Sequence, residues 1–410
     1  MFLIYLFLIL FVLFPLFSFP SHDHYVKIIM LFKLSTAAVA SIVTASLVSS
    51  APAGKYLEST TWSSSVAFPT EVSADGSHFK YPLSNGFPSP DQAAINDTEV
   101  AAGGTLSNAP PPTSLQPDSI INLRLIAFNE LSEVAFFTEL LQNITSNQPG
   151  FEIPEAYDRD YVIDSLIAIQ AQEELHTLNA NNALSKFDGN GIGPIQACEY
   201  DFPVNNLLEA ITVANQFTDL VLGTLQDVIV HFANNKDVGP IAGVASVIGQ
   251  EGEQDGFFRL LLGERPSAQP FLTESARDFA FSALNQNFVK KCPQDVTKFG
   301  LNIFQPLVIV DKPQPGDGSL TFDFTLSSNS SRDNLQLVYL SGQNLPIIEE
   351  IEYSTQFYSN GSVQFKADFP QATDILDGLT IAVVTTKGNF TTLDQVVQNT
   401  KFGPALIEVN

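Results

Sequence analysis

The residues best placed to do chemistry are Glu173 and His176, in the stretch Ala171-Gln-Glu-Glu-Leu-His-Thr177. This stretch lies inside a long segment of near-helical apolar spacing, and on a helix a separation of three sends both side chains from one face. A carboxylate and an imidazole offered together to a protein interior form the kind of metal half-site that helical bundles assemble. Such a centre needs carboxylates at matching depth on neighbouring helices.

Periodic apolar positions predict a first helix from Ile120 to Ile144, capped by Asp118 and carrying Glu130, with Glu133 as an alternative. The Glu173/His176 helix runs from about Asp160 to Leu184. A third helix follows Pro203 and ends near Asn234-Asn-Lys236, and a fourth runs from Gly239-Pro240 to about Leu262. A shorter fifth is expected over Thr273 to Val289. In the fourth helix, Glu251 and Gln254 repeat the spacing of three, with Gln in place of His. Carboxylates that enter an apolar segment cost free energy unless they are paired or bind a cation. No Lys or Arg lies on the central turns of the four long helices, Arg124 and Arg259 being nearer their ends. A bound metal is the simplest balance of charge.

From about Phe299 the period changes to two, as in Leu320-Thr-Phe-Asp-Phe-Thr-Leu326 and Val363-Gln-Phe-Lys-Ala-Asp-Phe369. Further strands are expected at Leu307–Val310, Leu335–Leu340, Leu379–Thr386 and Pro404–Val409. The expected class is therefore α+β. Residues 1–53 form a signal or upstream apolar segment, 54–118 an extended Ser/Thr/Pro-rich arm, 119–298 a four-helix bundle with an extra helix, and 299–410 a small antiparallel β-sandwich.

Nineteen Lys and Arg against 44 Asp and Glu give a formal charge of -25, which argues against nucleic acid or an anionic membrane as partner. The run Ala37–Val48 follows Lys33 and ends in Ser49-Ser-Ala-Pro-Ala53, the anatomy of a secretory signal. Met30 reads as the start, with residues 1–29 upstream of it, the alternative being an amino-terminal membrane anchor over Met1–Pro20; no stable membrane span is expected in the mature chain. Glycosylation sequons at Asn96, Asn143, Asn329, Asn360 and Asn389 fit a secreted protein, extracellular or in the cell wall. Cys198 and Cys292, the only cysteines, read as one disulfide.

The motifs Asn129-Glu-Leu-Ser-Glu-Val-Ala-Phe-Phe137, Gln172-Glu-Glu-Leu-His176 and Ala245-Ser-Val-Ile-Gly-Gln-Glu251 carry a resemblance. The helical part resembles the ferritin-like domain family, and the chain from about Met30 looks like that family's fungal stress-response and late-sexual-development branch. Plant desiccation-related proteins are similar, more distantly, over the helices. A complete ferritin-like centre uses one Glu from each of two helices and Glu-x-x-His from each of two others. The resemblance matches Glu130, Glu173, His176 and Glu251 to ligands. Gln254 stands where a second His would be, the third-helix position falls at Ala214 or Asn215, and Asp219 is more than a turn away. The resemblance thus implies at most one divalent ion, with iron, manganese and zinc all suited to such ligands.

Other motifs carry less. Asp188-Gly-Asn-Gly-Ile-Gly193 has the outline of a calcium loop, but Ile192 and Pro194 spoil it, and His231 suits the carboxyl end of a helix dipole. No nucleophile–histidine arrangement is evident. Three classes of function remain: a non-catalytic, stress- or development-associated secreted protein; a metal-dependent oxidase or metal-handling enzyme; and a module whose sandwich binds cell-wall material or extracellular proteins.

Overall fold

The computed structural model describes residues 81–188, 191–326, 332–353 and 361–410. The signal segment, arm residues 54–80 and the sequons at Asn329 and Asn360 lie outside the described residues. The described chain is α+β, with seven helices and antiparallel sheets in its carboxy-terminal part.

Four long helices frame the centre: α2 (Pro117–Thr145), α3 (Arg159–Phe187), α4 (Leu207–Asn234) and α5 (Ile241–Leu261). They follow α1 (Gln92–Ala102), and α6 (Arg277–Asn287) comes after them. Helix α2 packs on α3, and α4 on α5; the two pairs meet through α2 and α4, with α6 against both. Their apolar stripes supply the core, where Leu125, Phe128, Leu131, Val134, Leu166, Leu220 and Leu225 are almost wholly buried. Each such side chain contributes about 1.5–3 kcal/mol on leaving water.

Local chemistry sets the ends. Asp158 caps α3 by accepting from the amides of Asp160 and Tyr161, and Asn206 caps α4 by accepting from Glu209 N. Asp118 is not the cap of α2: Pro117 takes the first helical position, and Asp118 lies inside the first turn, where its charge suits the helix dipole. The extended arm also needs correction, because residues 92–102 of it are helical. Asp91 caps α1 through Ala94 N, and Gly103 ends it in the left-handed conformation at φ 74°. Only Thr98 and Ala102 of α1 are buried, so no apolar stripe announces this helix.

The fifth predicted helix is shorter than expected. Residues 273–275 run so close to α4 that a Cβ at Gly223 would lie 2.1 Å from the Thr273 carbonyl oxygen, and helix starts only at Arg277. Past α6, strand β2 (Val289–Lys291) pairs with β1 (Glu199–Tyr200), beside the Cys198–Cys292 disulfide. This link joins residues 94 apart, a constraint on the unfolded chain of about 4–5 kcal/mol.

Two four-stranded antiparallel sheets follow. One is ordered β10 (Thr400–Val409), β9 (Gly378–Thr386), β5 (Leu335–Ser341), β6 (Ile347–Glu349). The other is β3 (Val308–Ile309), β4 (Gly318–Thr325), β8 (Ser362–Phe369), β7 (Glu352–Tyr353). Leu337, Tyr339, Ala382 and Val384 share a core with Phe322, Phe324 and Phe365 of the second sheet. The alternate residues Val338, Leu340, Ile381 and Val383 belong to the helical core instead. Both faces of β5 and β9 are therefore buried, and side-chain alternation divides each strand between two cores. The seventh helix, α7 (Leu393–Asn399), leads into β10.

The end of β10 clasps α5. Arg259, 1 % exposed, donates from Nη1 to Glu408 Oε1 at 3.1 Å and from Nη2 to Asn410 Oδ1, and lies 3.6 Å from both Asp219 and Glu264. Asp255 joins through Asn215, whose Nδ2 donates to Asp255 at 3.0 Å and to Asp219 at 3.3 Å. Acidic groups outnumber the guanidinium. Burial, reinforced by Asp219, pushes Asp255 up to about 9 and Glu408 to about 8, while burial, opposed by Arg259, brings Asp219 to about 6.

These acids hold protons in the folded state at pH values where the unfolded chain has released them. Stability therefore falls as pH rises from the ordinary carboxylate range through about 9. Thermal melts of metal-free protein between pH 5 and 9 should show a declining midpoint, and a shallower decline in Asp255→Asn. A midpoint that rises with pH would contradict this charge balance.

Candidate metal centre

Three helices bring the four expected ligands together: Glu130 from α2, Glu173 and His176 from α3, and Glu251 from α5. One ligand atom from each lies within 4.8 Å of all the others. His176 Nδ1 points into the three carboxylates, at 2.9 Å from Glu173 Oε2, 3.4 Å from Glu130 Oε2 and 3.9 Å from Glu251 Oε1. Glu130, Glu173 and Glu251 are at most 1 % exposed. Helical spacing explains the Glu173–His176 contact; the other approaches depend on how α2 and α5 pack around α3.

Helix α4 brings no ligand to this cluster. Ala214 is buried, and Asn215 spends its amide on Asp219 and Asp255. Asp219 belongs to the Arg259 clasp. Gln254 is likewise apart from the cluster: its Nε2 donates to Glu173 Oε1 at 2.7 Å, which orients that carboxylate and leaves Oε2 to His176.

The electrostatics are those of a centre short of positive charge. Burial, strengthened by Glu173, holds Glu130 and Glu133 well above the usual carboxylate range. Burial and then Glu130 do the same to Glu251. Glu173 alone is lowered: burial opposes its charge, but His176, together with hydrogen bonds from Glu130 and Gln254, outweighs burial. Burial likewise disfavours a charged His176, yet Glu173 and then Glu251 raise it to about 9. An imidazolium–carboxylate pair thus sits at the middle of the centre.

The donor set fits a metal ion. Glu130 Oε2 and both oxygens of Glu251 are buried without a hydrogen-bond partner among the described residues, an arrangement that a cation would relieve. Two ligands about 2.0–2.2 Å from one ion stand about 4.4 Å apart at most when opposite and about 3.4 Å apart at tetrahedral angles, so the ligand atoms, now within 4.8 Å of one another, would close in around an ion. Among the described residues this is the one grouping of three or more His, Cys, Asp or Glu within such reach.

Other sequence motifs have structural uses. Asp188 forms a two-point bridge with Arg124 at 2.8 Å for each contact, which engages the first carboxylate of the calcium-like loop. His231, in the last turn of α4, lies between Asp118 at 3.0 Å and Asp227 at 3.4 Å. Sequence reading missed Gln172 and Gln250, because their relevance depends on α5 lying beside α3: Gln250 and Gln254 both donate to Gln172 Oε1, at 2.9 and 3.1 Å. It also missed Asp255, and the signal available was its spacing of four from Arg259 and from Glu251.

Compared with models of protein families and with curated proteins, the chain matches none. The centre itself is therefore the guide to function.

Proposed function

We propose that this is a secreted protein with a ferritin-like four-helix core, formed by α2 to α5, that binds one divalent metal ion without catalysing a reaction. The observation that carries this reading is the convergence of Glu130, Glu173, His176 and Glu251 around buried carboxylate oxygens that lack partners. The ligand set is one-sided. Gln254, Ala214 and Asn215 stand where a second ion would need its own ligands, and the coupled pair of metals that supports oxygen activation in complete centres has no such set here.

Three carboxylates and one imidazole suit iron, manganese or zinc. A bound ion would supply positive charge and Lewis acidity to this centre. The protein's own residues fix the ligands: α3 sets the Glu173–His176 geometry, and Gln254 orients Glu173. The disulfide, the sequons and the acidic net charge support a role outside the cell, and no described helix is long and apolar enough to cross a membrane. The stress- or development-associated branch of the ferritin-like family is the context proposed for it.

A second reading, a metal-dependent enzyme, is favoured by one observation. A partly open apolar cleft lined by Phe136, Phe137, Phe202, Phe217 and Phe288 also includes Glu133, whose carboxyl feels Glu173 and Glu130. Metal content and oxygen consumption of the purified full chain separate the two. One ion per chain and no oxygen uptake with ferrous iron are expected; two redox-active ions with steady uptake would establish the enzyme instead.

A further inference from the structure

The polar contacts around Glu173 do not stop at Gln254. Gln254 Nε2 is shared, donating to Glu173 Oε1 at 2.7 Å and to Gln172 Oε1 at 3.1 Å. Gln172 Oε1 accepts a second bond, from Gln250 at 2.9 Å, and Gln172 Nε2 donates to the Ala102 carbonyl at 3.2 Å. One side chain on α3 therefore joins the last residue of α1 to two amides of α5, one of which holds a ligand of the metal centre.

Residues 81–102, which place the Ala102 carbonyl, are firmly seated. Phe87 is fully buried, and Tyr81 Oη donates to Leu131 O at 2.7 Å. Glu174, the neighbour of Glu173, is 2 % exposed and accepts from Asn85 Nδ2 at 2.9 Å and Thr98 Oγ1 at 3.2 Å. The same segment thus fixes α3 at Glu174 and fixes Gln172 through Ala102. A primary amide has two donor hydrogens and a rotatable plane, so where Gln254 points depends on which acceptors hold it. Gln172 Oε1 takes one hydrogen, and the other is directed to Glu173.

We propose that Gln172 is a positioning residue, which holds the Gln254 amide on Glu173 and so ties metal affinity to the docking of residues 81–102. The proposal rests on the metal reading above. Partners that orient metal ligands typically contribute ten- to hundredfold in affinity. Helix α1 and its lead-in are then part of the metal centre, although they supply no ligand.

The test is equilibrium binding of Mn2+ alone to the full chain, with Gln172→Met, Gln254→Met, the double variant, and Gln172→Glu. Gln172→Met removes the polar contacts at similar volume, and about tenfold weaker binding is expected, with a similar loss in Gln254→Met. Because one residue acts through the other, the double variant should bind no more weakly than Gln254→Met. Gln172→Glu keeps the acceptors for Gln250 and Gln254 but loses the donor to the Ala102 carbonyl, so binding weaker than the parent's by about threefold, between it and Gln172→Met, is expected; it also serves as the test should the Met variant fold poorly. Unchanged affinity in Gln172→Met, losses that add in the double variant, or a Glu variant as weak as the Met variant or as tight as the parent would each overturn the proposal while leaving the metal reading intact. Absence of any Mn2+, Zn2+ or Fe2+ binding by the parent protein would overturn the metal reading itself.

Discussion

His176→Ala should destabilise the metal-free protein at pH 7 by about 3–5 kcal/mol, the usual cost of removing one partner from a buried ion pair. The imidazole is the sole cationic group among the residues of this centre. It lies 2.9 Å from Glu173, the one carboxylate here whose ionisation is favoured, and its own acidity is weakened to about 9 by that partner and by Glu251. Without it Glu173 is a buried charge facing Glu130 and Glu251, and it must take up a proton or draw in water. The loss should accordingly shrink at pH 5, where protonation of Glu173 is easier. Urea denaturation in the presence of a chelator measures both values; a loss under about 1 kcal/mol at pH 7 would mean that the pair is not holding the centre together.

The second large effect is expected at the clasp. Arg259→Ala leaves Asp219, Glu264 and Glu408 without their shared guanidinium, and Asp255 in a more negative setting. A destabilisation of about 3–5 kcal/mol is expected, for the same physical reason as at His176. Its location distinguishes it. Glu408 lies near the end of β10 and Asn410 just past it, so amide hydrogen exchange should quicken along the β9–β10 pairing before it does in α2 and α3. Uniform acceleration through the whole chain would instead show that the clasp has no local role. Arg259→Lys should recover only part of the loss, because one ammonium cannot reach Glu408, Asn410 and the Arg265 carbonyl together.

Much of the helical part was legible because long apolar periods dominate it. The predicted helix around Glu173 and His176 lies within Arg159–Phe187, and that around Glu130 within Pro117–Thr145. The six expected strands correspond to β3, β4, β5, β8, β9 and β10, whose alternation or continuous apolar runs are strong. Strands of two or three residues leave no period to detect, so β1, β2, β6 and β7 were not seen; β3, equally short, was visible only because it lies in the apolar run Leu307-Val-Ile-Val310. Helix α1 escaped notice for a different reason: its Asn, Asp and Thr residues favour turns, and its helical state relies on the Asp91 cap and on docking against α3. Of the centre, the spacing of Glu173 and His176 was visible, and apolar surroundings marked Glu130 and Glu251 as carboxylates in need of a partner. The amide contacts from Ala102 through Gln172 to Gln254 were not visible, since glutamines carry no charge to balance and their meeting depends on helix packing alone.

The most direct measurement is the number and location of ions bound by the full chain, by elemental analysis after dialysis against Mn2+, Zn2+ or Fe2+, for the parent protein beside Glu173→Ala and Glu251→Ala. One ion per chain in the parent and none in either variant is the predicted result. Two ions per chain, or an ion retained undiminished in both variants, would show that Glu130, Glu173, His176 and Glu251 are not the single metal centre of this protein.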